Sequence, residues 1–260
     1  MGTTTKALSL LNYFSAARSE IGLGEFVRLC GRDKATVHRH LTELEENGFL
    51  EQDATSRAYR LGPALLRLSA VREAAFPVRR LLRPIVIELS EAVGELAHAS
   101  LLQGDMLSPV FHADPRHHGT QVYFDESEQL PLHATSGGLA VLAFVGPALL
   151  DRLLGQPLAA LTAKTVTDPA QLRDMIREIR EKGFSQLDST FDEEVASLGA
   201  PLFGPSGQVL GAISVAVPVG RFTPARLREI APKLQEAARA ASLSLGGRPV
   251  DIVQRMGQTG

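Results

Sequence analysis

One cysteine and no tryptophan occur among the 260 residues. The single thiol, Cys30, excludes an intrachain disulfide framework and suits a reducing compartment. It ends an apolar helical stripe, where a buried, inert side chain is expected. No surplus of either charge is present, the net charge being −2. This excludes a surface that attracts polyanions everywhere, although local charge can differ. No run of about 18 apolar residues occurs, so no membrane-crossing helix is expected. The N-terminus, M-G-T-T-T-K, lacks the apolar segment of a secretory signal, and a cytoplasmic protein is expected. Repeats and low-complexity tracts are also missing. What is present is 44% hydrophobic content, which excludes disorder and suffices for two modest cores.

The most informative stretch is residues 23–61. Residues 6–17 read as a first helix, with Leu8, Leu11 and Phe14 at three-residue steps and Leu10 thickening the stripe. Residues 25–30 read as a second, and Gly31 permits a sharp turn. Asp33 can cap a third helix whose apolar members, Val37, Leu41 and Leu44, are spaced i, i+4, i+7. Asn47-Gly48 ends it. Residues 49–52 and 58–61 read as two strands, with 53–57 as the hairpin tip. A helix-turn-helix followed by a wing is a device for reading double-stranded DNA.

With Val37, Leu41 and Leu44 packed inward, the remaining faces of the third helix stay exposed. His38 and Arg39 are long enough to reach base edges. Arg32 and Lys34 suit phosphates, as does the first helical turn around Thr36. Ala35 is small and permits close approach, and Arg57 at the hairpin tip can touch backbone or minor groove. Residues 1–70 hold nine Lys/Arg against eight Asp/Glu. Such weak basicity makes one copy a poor binder, so dimerisation is expected. Two plainer readings stand beside these: Arg39 as a salt-bridge partner, and a winged helix that contacts protein in a small-molecule-binding scaffold or sensor.

Beyond residue 62 the pattern changes. Residues 63–71 are helical, and 78–93 read as a long amphipathic connector, with Pro84 marking a bend or a new start. Strands are expected over 96–102, 106–112 and 121–124. An apolar helix follows 130–138, another covers 147–154, and Asp168-Pro169 opens one that Gly183 stops. Strands over 184–187, 197–203 and 208–217 precede a final helix from Thr223-Pro224 to residue 245. Strands on both sides of a helical block argue for an antiparallel sheet flanked by helices. Four regions follow: a winged helix-turn-helix over 1–70, a linker helix region over 71–94, a domain of antiparallel sheet and helices over 95–247 and a flexible tail over 248–260.

His98, His112, His117, His118 and His133 fall in the third region. They do not show the spacing of a zinc site, and no metal or cofactor is expected. His133 beside Thr135 and Ser136 lacks a nucleophile elbow, so no enzyme is expected. The segment 135–138 opens a helix whose N–H groups could hold an anion, or it is a plain N-cap. Asp192-Glu193-Glu194 reads as a solvated loop.

Five fragments, in order, carry a resemblance. They are K-A-T-V-H-R-H-L-T-E-L-E-E-N-G-F-L from Lys34, Y-R-L-G-P-A-L-L from Tyr59, and L-P-L-H-A-T-S-G-G-L-A-V-L-A from Leu130. I-R-E-K-G-F from Ile179 with F-D-E-E-V, and S-L-G-A-P-L-F-G-P-S-G-Q-V-L-G-A-I-S-V from Ser197, complete the set. The chain resembles the isocitrate-lyase-regulator (IclR) family of bacterial transcription regulators. The resemblance implies an α+β protein: an N-terminal winged helix-turn-helix, a linker helix, and a C-terminal GAF-like antiparallel sheet flanked by helices. It also implies a homodimer, possible pairing into a dimer of dimers, an operator of double-stranded DNA beside metabolic genes, and a small-molecule effector.

Carried over by position, the family pocket comprises the loop with Leu132, Ala134, Thr135, Ser136 and Gly137, then Leu187 with Asp188, then Ser197, Ser214 and Ala216. Leu187 stands where a carboxylate is common, Ser197 where a cysteine is common, and Ala216 where a serine is common. Leu187 is either pocket wall or core. The implied effector is a small organic acid with an aromatic or aliphatic body. Ser197 and Ser214 would donate hydrogen bonds, the helix opening at Ser136 would hold the acid group, and Leu187 and Ala216 would line the apolar part.

Overall fold

In a computed structural model of the chain, which describes residues 2–247, the reading helix begins where its cap requires. The Thr36 N–H donates to Asp33 Oδ1 at 2.8 Å. The first compact unit runs to Pro77 and the second starts at Val78. The tail expected over 248–260 lies outside the described residues.

The first unit contains α1 (Thr3–Leu8), α2 (Leu23–Cys30), α3 (Lys34–Glu46), β1 (Leu50–Gln52), β2 (Tyr59–Leu61) and α4 (Ala64–Ala75). The first helix is not the single element expected over 6–17: α1 stops at Leu8, and a 3₁₀ turn, Leu11–Tyr13, follows. Three-residue steps fit a 3₁₀ turn better than an α-helix. The break lets Leu10 and Phe14 turn inward while Leu8 stays exposed. Phe26 anchors this core, meeting Phe14 and Tyr59 edge to face at centroid distances of 5.7 and 6.3 Å. Cys30 is half-buried rather than enclosed, because it lies at the edge of that core. α4 extends past the expected residue 71 to Ala75.

The second unit comprises α5 (Val78–Val93), β3 (Leu96–Gln103), β4 (Met106–Ala113), β5 (Leu130–Pro131), α6 (Ser136–Leu142), α7 (Pro147–Leu154), α8 (Pro169–Lys182), β6 (Ser185–Asp188), β7 (Val195–Phe203), β8 (Val209–Pro218) and α9 (Pro224–Ser244). The strands form one antiparallel sheet in the order β5-β4-β3-β8-β7-β6. The span 71–94, read from sequence as one linker region, holds the end of α4 and all of α5. Pro84 lies inside α5 without dividing it. α5 buries Leu82, Val86, Leu89 and Val93 against the sheet and α9, and so is part of the second unit's core. Residues 121–124 form no strand. Their Val, Tyr and Phe suit any half-buried surface, and β-propensity reports little more. β5, not expected, pairs Leu107 with Leu130.

Alternation along the strands separates two layers. Ala97, Ala99, Leu198, Ala200, Ile213 and Val215 face α5 and α9. The opposite face carries α6, whose residues are all buried. Two glycines allow α6 to sit there. A Cβ on Gly138 would lie 2.4 Å from Leu132 Cα, and one on Gly199 would lie 2.5 Å from the Gly137 nitrogen.

Candidate functional site

Two regions concentrate the predicted residues, one in each unit. In the first, Val37, Leu41 and Leu44 bury one side of α3. His40 joins them, 1% exposed, with neither ring nitrogen hydrogen-bonded. It lies on the apolar side one turn from Val37, a position the i, i+4, i+7 stripe did not include. Ala35, His38 and Arg39 are exposed on the opposite side. The spacing 35, 38, 39 makes that side continuous. Lys34 is exposed and Thr36 half-buried at the first turn. Asp33, capping that turn, is held below the usual carboxylate range by hydrogen bonds from the Thr36 backbone and then its side chain.

Arg32 is placed differently. Its Nη1 donates to the Lys6 carbonyl at 2.8 Å and its Nη2 to Ser9 Oγ at 3.3 Å. It therefore ties α1 to the turn before α3. At the wing, Asp53 Oδ1 accepts from the backbone N–H groups of Thr55 and Ser56 at 3.0 and 2.7 Å. This carboxylate holds the tip in shape, and Arg57 projects from it exposed, with φ +59°.

In the second unit a cavity open to solvent lies on the α6 side of the sheet. Ser197 and Ala216 are register partners on β7 and β8, and both line it. Thr135, Ser136 and Gly137 line it from the start of α6. Five predicted residues thus meet at one cavity. Others stand back from it. Leu132 and Ala134 are fully buried. Leu187 pairs with Ser197 in register but packs in the α6–α8 core. Asp188 takes the alternate face of β6, accepting from Ser189 Oγ at 2.7 Å and lying 3.3 Å from Lys164 Nζ. Its pKa is lowered, by the Ser189 hydrogen bond first and Lys164 after it. Ser214 lies one row deeper, buried, with its hydroxyl unpartnered.

The remaining lining was not expected from sequence. His98 is the register partner of both Ser214 and His112, so a polar row crosses β8, β3 and β4. Phe124 stacks on the His98 ring at 4.4 Å and lies 5.3 Å from that of His112. Burial pushes the His98 imidazole down to about 3, with His112 a smaller cause, so it is neutral at pH 7. The loop bearing Phe124 is pinned by Glu126, which accepts from His112 Nδ1 at 2.8 Å and Arg79 Nη1 at 3.1 Å. Burial acts to raise the Glu126 pKa, but these bonds prevail and hold it low. Asp192, read as part of a solvated run, lines the cavity with Asp125 and Glu128. Burial raises the Glu128 pKa, and those two carboxylates raise it further. Among the described residues no group of three or more His, Cys, Asp or Glu side chains is placed to hold a metal. Nor is any helix there long and apolar enough to cross a membrane.

Comparison with known proteins bears on both regions. Residues 74–243 match the family described as bacterial transcriptional regulator IclR C-terminal, and residues 3–54 match the IclR helix-turn-helix domain. The chain belongs to the IclR family. It is 31% identical to the HTH-type transcriptional regulator KipR of Bacillus subtilis, over 94% of this chain and 97% of that one. The crystal structure of a putative IclR transcriptional regulator from Silicibacter sp. superposes with a TM-score of 0.88 at 46% identity, covering 96% of this chain and 98% of that one. An IclR homolog from Microbacterium hydrocarbonoxydans, complexed with 4-hydroxybenzoate, shares the fold at 22% identity and a TM-score of 0.76, covering 94% and 99%. At family level the chain is a DNA-binding transcriptional regulator with a winged helix-turn-helix and an effector-binding domain.

Proposed function

We propose that the chain acts in the cytoplasm as a homodimer that binds a two-fold operator beside metabolic genes and is controlled by a small organic molecule in the α6 cavity. The observation that carries the DNA-reading part is the division of α3 into a buried side and an exposed polar side. His38 and Arg39 read base edges, Ala35 allows approach, and Lys34, Thr36 and Arg57 contact the backbone. Pairing of two heads is supported by the apolar surface of α4 and the residue that caps its end, where Leu66, Val71 and Phe76 are 78%, 61% and 67% exposed. An apolar surface of this kind favours burial against a partner. A GAF-like plan, with the ligand held on one face of the sheet, is proposed for the cavity, and its proposed role is binding without turnover.

Arg39→Ala tests the reading helix. A good bidentate base contact is worth about 1–3 kcal/mol of discrimination, so operator affinity is expected to fall by that amount while random-sequence affinity changes little. Arg39 is exposed, so folding is expected to be unaffected. Equal losses on both DNAs, measured by fluorescence anisotropy at fixed salt, count against base reading.

The effector's aromatic or aliphatic body is supported by Phe124, Phe191 and Leu130 in the lining. Ala216→Phe is expected to fill the cavity beside Ser197 and abolish the effector's influence on operator binding, leaving unliganded binding intact. An operator response that persists in this variant places the effector elsewhere. The acid group expected on the effector has no lysine or arginine among the lining residues to meet it.

A further inference from the structure

The cavity combines three properties that together select a ligand class. Its charged lining residues are Asp125, Glu128 and Asp192, and every formal charge they offer is negative. Its one lining histidine among the described residues, His98, is neutral at pH 7 because burial keeps the proton off. Two polar groups of its lining are left available by the protein. Ser136 is 2% exposed and its hydroxyl makes no hydrogen bond to a described residue. His98 is 7% exposed; its Nδ1 meets Ser100 Oγ at 3.3 Å, and Nε2 has no partner among the described residues. A nearly buried hydroxyl and ring nitrogen facing a cavity require a ligand or water to satisfy them. The rings of Tyr123, Phe124 and Phe191 also line it.

We propose that the cavity takes an organic cation: a protonated amine on a compact aromatic or aliphatic body, with its ammonium group among Asp125, Glu128 and Asp192. The rings favour the same sign, because an aromatic face attracts a cation and not an anion. Ser136 and His98 supply neutral hydrogen bonds to the ligand's far end. A carboxylate in the same place would stand beside three negative groups without a counter-charge, which is unfavourable. The inference rests on the effector-cavity reading and assigns the ligand's charge.

A matched series isolates that charge. Phenethylammonium, 2-phenylethanol and phenylacetate share a phenyl body and differ in their polar end. Calorimetry on the full chain at pH 7 and low salt is expected to rank them cation, neutral, anion. The cation should bind about tenfold more tightly than the anion, the scale expected of several partly exposed, solvent-screened carboxylates. High salt should compress the ranking. The combined variant Asp125→Asn, Glu128→Gln and Asp192→Asn should remove it, since these substitutions keep an acceptor oxygen and lose only charge. If that variant does not fold, the salt dependence of the natural chain still decides the matter. No binding of the cation, phenylacetate binding as tightly as the amine, or a ranking insensitive to salt would each overturn the proposal. Operator binding in the absence of probe is measured in parallel. Sequence-specific DNA binding without cation preference removes this proposal and leaves the regulator standing; cation preference without such DNA binding does the reverse.

Discussion

Leu41→Ala is expected to unfold the DNA-reading unit selectively. Leu41 is fully buried at the middle of α3 and belongs to a core that includes Phe26, Leu10, Ile21 and Tyr59. Truncating a buried leucine removes its transfer free energy and leaves a cavity, costing about 2–5 kcal/mol. A small unit with few buried side chains has little stability to absorb such a loss. Operator binding should therefore disappear although no exposed residue of α3 has changed. Hydrogen–deuterium exchange on the full chain distinguishes this from a general effect. Amides of α2 and α3 should lose protection, while those of β7 and β8, in a separate core, keep theirs. Equal loss in both units, or retention of protection in α3, would show that the cores are not independent in this way.

Gly199→Ala is the corresponding experiment in the second unit, and a single methyl group should suffice. The added Cβ would stand 2.5 Å from both the Gly137 nitrogen and the Ser136 carbonyl carbon, and 2.7 Å from the Ser136 oxygen. All three are backbone atoms of a helix whose residues are buried, so no flexible side chain can move aside. Overpacking of this kind costs about 1–3 kcal/mol, and contact with rigid backbone places the expectation near 3. Because Ser136 and Gly137 line the cavity, ligand binding should weaken with stability. Gly220→Ala is the control: a Cβ there meets nothing within 4 Å, and a change below about 0.5 kcal/mol is expected. Chemical denaturation followed by the second unit's signal measures both. A Gly199 variant as stable as the control would mean that α6 can lift from the sheet at little cost.

These two sites differ in how readily they can be found from sequence. α3 is local: a cap at Asp33, an apolar period through Val37, Leu41 and Leu44, and a stop at Asn47-Gly48 lie within one short stretch. The same holds for α8, bounded by Asp168-Pro169 and Gly183. The cavity is not local. Motif resemblance reaches Thr135, Ser136, Gly137, Ser197 and Ala216, whereas His98 enters only because β3 pairs with β8. Phe124 ends a segment that reads as a strand but forms none, and it and Asp125 are positioned by side-chain contacts rather than a strand ladder. Asp192 is indistinguishable in sequence from its acidic neighbours. Leu187 shows the opposite difficulty: its register with Ser197 is that of a pocket residue, yet packing near α8 draws it into the core.

The polar row through Ser214, His98 and His112 also constrains how the sheet can assemble. Side chains alternate between faces, so a one-residue slip of β3 would exchange His98 and Ser100 for Ala97 and Ala99. An imidazole and a hydroxyl would then enter the aliphatic layer against α5 and α9 with only each other to bond to, and alanines would face the cavity. Each mispaired alternative carries the cost of stranded polar groups. The residues that give the cavity its chemistry thus act during folding as a proofreading device, rejecting strand alignments that hydrophobicity alone would tolerate.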